Sequence, residues 1–521
     1  MSGNAPALAH QPLVGSARVF GTLALSAATF MNVLDTSIAN VSLPAISGDL
    51  GVSPIQGTWV ITSFAVANAI SVPLTGWLTL RIGQVRLFLG SVLLFVLSSW
   101  LCGMSPNMGM LIAFRVLQGF VAGPMIPLSQ TLLLASYPRS KSGLAMAMWS
   151  MTTLIAPIAG PLLGGWITDN IAWSWIFFIN VPVGILAAVA IWSIYRKRES
   201  ATRHVPIDGV GLALLVLWVG SLQLMLDKGK ELDWFSSPLI VTLGVVAAIG
   251  CAVFLVWELT DAHPVVDLRL FMRRNFWSGT LAMSVGYGVF FANVVILPLW
   301  LQQYMGYPAT DAGMLMAPVG ILAVILMPVV GLTLNRVDPR IYASIAFVVF
   351  WLVLWMRSNF TTDTSFSVLM VPTIVQGVAM AFFFVPLVSI TLAGMTPDRI
   401  PAASGLSNFT RIVSGAIGTS ISSTMWEDRS DMHHAQLVES VQLGNPQVVQ
   451  TLDWLQHSLG LNHTQALGFI NNLVTQQAYM ISTQEIFYGS AMLFLGLIVL
   501  VWLTKRPAHV SDAGTAAGGA H

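Results

Sequence analysis

One carboxylate stands alone in a long apolar stretch. Residues 19–41 carry no charge except Asp35, within the segment LDTSIANVSLP, Leu34–Pro44. An aspartate inside a membrane-length helix costs about 2.5–3.5 kcal/mol on insertion scales. It persists where it faces protein or a water-filled cavity. Asn32, Asp35, Thr36 and Asn40 recur at i, i+3, i+4 and i+8 and form a polar stripe on one helix face. The chemistry open to such a group is reversible proton binding. The competing reading is a structural polar contact between packed helices. Two cations lie in similar surroundings, Arg115 and Arg411. Asp35 and Arg115 each fall about six residues inside the same end of their apolar runs, about 9 Å deep. A guanidinium beside a carboxylate favours its ionised form, whereas burial disfavours it. Arg115 is thus expected to modulate a proton carried by Asp35, against the alternative of a structural hydrogen-bonding hub. Ser404, Ser407, Arg411, Ser414 and Gly418 form a second polar stripe, read as cavity lining with Arg411 favouring anionic or weakly acidic solutes. A purely structural stripe is the alternative.

These residues require membrane helices to position them. The 521-residue chain is 55% hydrophobic and 9% charged, with mean hydropathy +0.76. Soluble chains are about 25% charged, so this is an all-α polytopic membrane protein. Fourteen apolar runs of membrane length are expected, the first at 19–41 and the last at 485–504. Both termini are placed in the cytoplasm, because 17 of the 23 Lys+Arg then fall on that side. Lys228, Lys230, Arg357 and Arg429 are assigned to the outside. The outer connection at 427–484 is polar, with Val448, Leu452, Leu455 and Leu459 at helical spacing, and reads as a small helical subdomain. His433 and His434 in it read as solvated loop residues rather than a metal site. The net charge of +1 gives no reason to expect nucleic acid. Cys102 and Cys251 lie far apart in apolar runs and imply no disulfide framework. A cleaved signal peptide is not expected, since residues 1–17 are uncharged and the first run is long.

The chain repeats weakly at 255–262 residues. Gln118-Gly119, Pro127-Leu128 and Pro138-Arg139 recur as Gln376-Gly377, Pro386-Leu387 and Pro397-Asp398-Arg399. Ser142-Gly143-Leu144 recurs as Ser404-Gly405-Leu406, and Gly76 with Arg81 recurs as Gly331 with Arg336. The expected organisation follows. A cytoplasmic segment at 1–18 precedes a six-helix bundle at 19–195. A linker at 196–275 holds an inserted transmembrane hairpin at about 209–258. A second six-helix bundle spans 276–504, and a disordered cytoplasmic tail occupies 505–521.

Several motifs then resemble the major facilitator superfamily. Gly76–Phe88, GWLTLRIGQVRLF, is similar to its loop signature between spans two and three, although Leu80 stands where an Asp is usual. Leu111–Gly123, LIAFRVLQGFVAG, resembles the fourth-span motif with its buried Arg, here Arg115. Ala156–Gly165, APIAGPLLGG, resembles the fifth-span motif of exporters. LDTSIANVSLP and Trp173–Gly184, WSWIFFINVPVG, resemble the 14-span drug:proton antiporter branch. The resemblance implies two six-helix halves with substrate held at mid-membrane between them, and α-helices one and four as neighbours. It also implies hydrophobic drugs as cargo, the inner membrane as location, and a periplasmic membrane-fusion adaptor with an outer-membrane channel as partners.

The expected function is proton-coupled export of hydrophobic, weakly acidic compounds. The proton gradient is the driving force, and no cofactor or metal is called for. No G-x-x-x-x-G-K-[ST] phosphate loop is present. No His lies deep in a span, which argues against an embedded enzyme. Asp35 and Arg115 are assigned to proton coupling. Asn32, Thr36, Asn40, Gln118, Asn293, Gln376, Asn408 and Arg411 are assigned to the substrate pathway. Gly76, Arg81, Gly83, Pro157, Gly160, Pro161, Gly164 and Gly165 are assigned to gating and helix packing, since glycines allow close approach and prolines allow bending. Transport of one metabolite or a fatty-acid-like compound, and a non-transporting interaction subunit, are the alternatives.

Overall fold

Apolar periodicity produces long helices in a computed structural model that describes residues 11–203, 206–334, 336–441 and 445–506. The first half holds α1 (Gly15–Asp49), α2 (Trp59–Ile82), α3 (Gln84–Gly103), α4 (Met108–Ser136), α5 (Ser142–Asn170) and α6 (Trp175–Tyr195). A hairpin of α7 (Gly209–Lys228) and α8 (Pro238–Thr260) follows. The second half holds α9 (Arg274–Gln303), α10 (Ala309–Thr333), α11 (Pro339–Arg357), α12 (Phe366–Thr391), α13 (Ile400–Ser440), α14 (Pro446–Leu459) and α15 (His463–Trp502). Most of the 505–521 tail lies outside the described residues.

Packing repeats between the halves. The pairs α1–α5, α1–α6, α2–α4, α3–α4 and α3–α6 recur as α9–α13, α9–α15, α10–α12, α11–α12 and α11–α15. The halves meet where α2 touches α13 and α5 touches α10. Glycines of the sequence repeat mark both contacts. A Cβ on Gly76 would lie 2.6 Å from the Ala402 methyl, and one on Gly331 would lie 2.6 Å from the Gly143 carbonyl. Helix α7 lies against α2 and α13 and so bridges the halves.

Among the described residues twelve helices are long and apolar enough to cross a membrane, and bent α5 makes a thirteenth. The bend is 42° between Ser142–Pro157 and Leu162–Asn170, where Pro157 and Pro161 fall. The expected span at 402–425 lies in α13, which is less apolar than the others because its serines, Asn408 and Arg411 form a polar stripe that the bundle buries. It is the thirteenth in chain order, before α15. The connection at 427–484 is helical over most of its described length. α13 runs on to Ser440 and α15 already begins at His463. Polarity ends the membrane-spanning part but not the helix. α14 packs Leu452 and Leu455 on Ala466 and Ile470 of α15, with Val448 beside them, whereas Leu459 is exposed. His433 and His434 are therefore helical, not loop residues. His433 Nε2 lies 3.1 Å from Glu485.

Candidate functional site

Asp35 sits midway along α1 and faces α3, α4 and α6. Arg115 Nη1 lies 2.5 Å from its Oδ2. Gln118 Nε2 and Asn180 Nδ2 each donate to its Oδ1 at 3.0 Å. Arg115 and Gln118 share a face of α4 at i, i+3, and Arg115 Nη1 also donates to Gln118 Oε1 at 2.7 Å. Arg115 Nε donates to the Val60 carbonyl at 2.9 Å, which ties α4 to α2. Ser99 Oγ of α3 accepts from Gln118 at 2.6 Å and from Asn180 at 3.2 Å. The Phe64 ring centroid lies 4.4 Å from the guanidinium carbon, and Phe177 adds a second ring at 5.5 Å. Asp35, Arg115, Gln118 and Ser99 are wholly buried. Charge-assisted bonds of this kind hold five helices in register, and Arg115 Nη2 is left without a partner.

The rest of the α1 stripe divides. Asn32 donates to the Ala122 carbonyl at 3.2 Å and is buried against α4. Thr36 returns its hydroxyl to the Val33 carbonyl, and Asn40 is exposed. A helix of 3.6 residues per turn carries an i, i+8 pair well apart along the axis, so one cluster cannot hold all four.

A second polar group lies between the halves. Gln130, Trp149, Met283, Thr391, Ser404, Ser407, Asn408 and Arg411 are among the residues lining a cavity of about 10 Å³, the room of one water. Arg411 Nη2 donates to Asn408 Oδ1 at 2.8 Å, and Asn408 Nδ2 reaches Gln130 Oε1 of the other half at 3.4 Å. Rings of Tyr287, Phe384 and Trp149 surround the Arg411 guanidinium at 4.9, 5.8 and 6.0 Å. Among the described residues no carboxylate pairs with it, and its Nε has no partner. Ser414 and Gly418 instead meet Gly288, so the α13 stripe lines the cavity only as far as Arg411.

Gln376 and Asn293 are not at this cavity. Gln376 Oε1 accepts from Arg357 Nη2 at 2.7 Å, and Thr373 Oγ1 accepts from the same nitrogen at 3.2 Å. Asn293 Nδ2 returns to the Val289 carbonyl at 2.6 Å. Arg357 is 1% exposed and corrects two expectations. It is not an outside loop residue, and Arg411 is not the only charge deep in the second half. It ends its helix in sequence, but helical side chains lean back toward the N-terminus, which carries the guanidinium into the bundle.

The packing residues are arranged as follows. Gly160 and Gly164 face Ser37 and Ile38 of α1, and the Pro157 carbonyl accepts from Ser37 Oγ at 3.0 Å. A Cβ on Gly165 would meet only ordinary contact. Gly83 has φ +98, a conformation open to glycine, and a Cβ there would strike the Glu199 carboxylate. Glu199 accepts from Val85 N and Arg86 N at 2.9 Å each, capping α3. The carboxylate at this loop therefore comes from the end of α6, not from position 80. Arg81 lies over the Trp77 ring at 5.4 Å.

Sequence reasoning did not single out Ser99 or Asn180 as site residues. Asn180 was signalled, as the one amide in the apolar segment IFFINVPVG. Ser99 carried no signal beyond being a serine in an apolar run.

The Major Facilitator Superfamily profile matches residues 25–419. The chain is 52% identical to the multidrug export protein EmrB of Escherichia coli K12, over 98% of this chain and 99% of that one. It is 48% identical to the fatty acid resistance protein FarB of Neisseria gonorrhoeae, over 97% and 99%. The human organic anion transporter MFSD10 (TETRAN) shares the fold, with TM-score 0.58 at 12% identity, over 93% of this chain and 99% of that one. Two packed halves related by a sequence repeat, the buried α4 arginine and these matches lead to one assignment: the chain is a multi-pass membrane protein that belongs to the Major Facilitator Superfamily.

Proposed function

We propose that this chain is a proton-coupled exporter of hydrophobic, weakly acidic compounds. The buried Asp35–Arg115–Gln118–Asn180 cluster is the observation that carries the reading. Protonation of Asp35 would cancel the ion pair and leave Arg115 with Gln118, the Val60 carbonyl and two rings. The cost of separating α1 from α4 would then fall. Release of the proton on the other side restores the pair. A carboxylate sealed in one state and opened in another meets the requirement for exchanging H⁺ against cargo. The cavity between the halves is far below the roughly 300 Å³ of a drug site, so cargo enters only when the halves move apart.

Arg411 is the group that would select acidic cargo. It is a buried cation in an aromatic surround and lacks a protein carboxylate. The names of two relatives, a multidrug exporter and a fatty acid resistance protein, agree with hydrophobic and acidic solutes. The same observation supports the second reading, a transporter of fatty-acid-like compounds.

The inner membrane is the proposed location, with both termini cytoplasmic. Removing Arg357 from the outside leaves only Lys228, Lys230 and Arg429 there, which strengthens the charge bias. The partners proposed are a periplasmic membrane-fusion adaptor and, through it, an outer-membrane channel. α14 and the extended ends of α13 and α15, with exposed Trp454 on α14 and Leu467 and Phe469 on α15, form the face offered to the adaptor. The adaptor should be lost on co-purification when α14 is deleted; its retention would rule that face out.

The central test uses proteoliposomes with an imposed pH gradient. Asp35→Asn should abolish gradient-driven drug transport while drug binding remains. Undiminished transport by that variant would end the proton-coupling role.

A further inference from the structure

Arg357 is a buried cation for which no counter-charge is provided. Its Nη2 donates to neutral oxygens of Thr373 and Gln376. Its Nε–H has no partner. Among the described residues no Asp or Glu forms an ion pair with it, and no aromatic ring covers it as Phe64 covers Arg115. A carboxylic acid in this position could take up a proton and become neutral. Arginine cannot shed its charge in the same way. Holding such a charge away from water is unfavourable unless an opposite charge comes with it.

The geometry points to an anion-binding site in the second half, in which Arg357, held by Gln376 and Thr373, binds a small anion. The ligand is a halide or the carboxylate of an acidic solute; both present a compact negative charge to a guanidinium. The site is separate from Arg411, whose partners are Asn408 and the rings of the central cavity. It does not depend on Asp35 being the proton carrier.

The experiment uses the purified full chain in detergent at constant ionic strength. The thermal midpoint is followed as gluconate is replaced by chloride, bromide or benzoate. The expected result is a rise of about 2 °C for each tenfold increase of the binding anion above its Kd. A rise with halides identifies an inorganic ion, and a rise with benzoate alone identifies a carboxylate. Arg357→Gln should abolish the response, and Arg357→Lys should retain part of it. Should the glutamine variant not fold, bromide-soaked wild-type crystals give a direct answer, with an anomalous peak expected within hydrogen-bonding distance of Arg357. No anion response in the wild type, or a response that survives in Arg357→Gln, would overturn the assignment.

Discussion

Arg115 and Arg357 are the buried arginines of two clusters related by the repeat, yet they stand at different positions and in different surroundings. Four pairs of positions stand 258 residues apart: Asp35 and Asn293, Ser99 and Arg357, Arg115 and Thr373, Gln118 and Gln376. Each pair lies on corresponding helices. The first half thus has its arginine on α4, its carboxylate on α1 and a serine on α3. The second half has moved the arginine to α11, replaced the α4 position with threonine and reduced the carboxylate to asparagine. The glutamine is kept in both and bonds the arginine in both, at 2.7 Å each time. One fold therefore holds a guanidinium in two ways, once as a closed ion pair and once as a cation open to an outside anion. The first arrangement can change state by taking up a proton; the second cannot.

The largest expected difference is in stability. Arg115→Met leaves Asp35 buried without its partner and should cost ~3–5 kcal/mol in thermal or denaturant unfolding of the purified protein. Arg357→Met removes a charge that has no counter-charge among the described residues, together with its hydrogen bonds to Thr373 and Gln376. In gluconate it should change stability by less than about 1 kcal/mol or raise it, since an apolar group of similar length suits a buried site. Equal losses for the two variants would break the comparison and make Arg357 a structural hub like Arg115.

These differences bear on what the sequence made legible. A carboxylate in an apolar run is conspicuous, and residue counting along two helices was enough to bring Asp35 and Arg115 to one level. Composition, run length and the repeat were enough for the fold. Arg357 was misplaced for a physical reason. A charged residue at the edge of an apolar run reads as the end of a span, and only the direction of the side chain, back along α11, buries it. The α13 stripe was legible as polar, but not where it stops lining the cavity, because Ser414 and Gly418 have the same small polar character as Ser404 and Ser407. Glu199 was missed as the cap of α3, since it lies 115 residues beyond Gln84 and nothing local links them.

A substitution can sharpen the comparison from the other side. Asn293→Asp places a carboxylate in the register position of Asp35, within the half that holds Arg357. If the register carries over to side-chain reach, the new ion pair should add ~1.5–3 kcal/mol and remove the dependence of the thermal midpoint on chloride. An unchanged chloride response would show that the two clusters correspond in sequence but not in reach. A smaller effect is expected at the third arginine. Arg411→Ala should reduce export of acidic drugs by roughly tenfold, about 1.4 kcal/mol, and leave cationic drugs near wild type in susceptibility assays of an efflux-deficient host. Equal losses for both classes would argue for a structural Arg411.

The smallest contrast lies at the helix starts on the face that carries the chain ends. α3 begins after Gly83, which has no side chain to cap with, and borrows Glu199. α11 begins after Asp338, which caps its own helix through Arg340 N at 3.0 Å and pairs with Arg340 at 2.8 Å and Arg506 at 3.6 Å. Burial works against ionisation of Asp338, but the hydrogen bonds from Arg340 and the charges of Arg340 and Arg506 outweigh it and hold its carboxyl below the usual range. A carboxyl depressed in the folded state gives a stabilisation that is complete above its unfolded value of about 3.9 and is lost as pH falls through its folded value. Asp338→Asn keeps a capping oxygen but removes the charge that Arg340 and Arg506 face, and should therefore lower the thermal midpoint at pH 7 by the equivalent of ~1 kcal/mol. The gap between variant and wild type should close as the pH drops below 4. Glu199→Gln removes a cap of similar size on α3. An Asp338→Asn midpoint equal to that of the wild type at pH 7 would show that the cap works through hydrogen-bond geometry alone, with no contribution from the charges of Arg340 and Arg506.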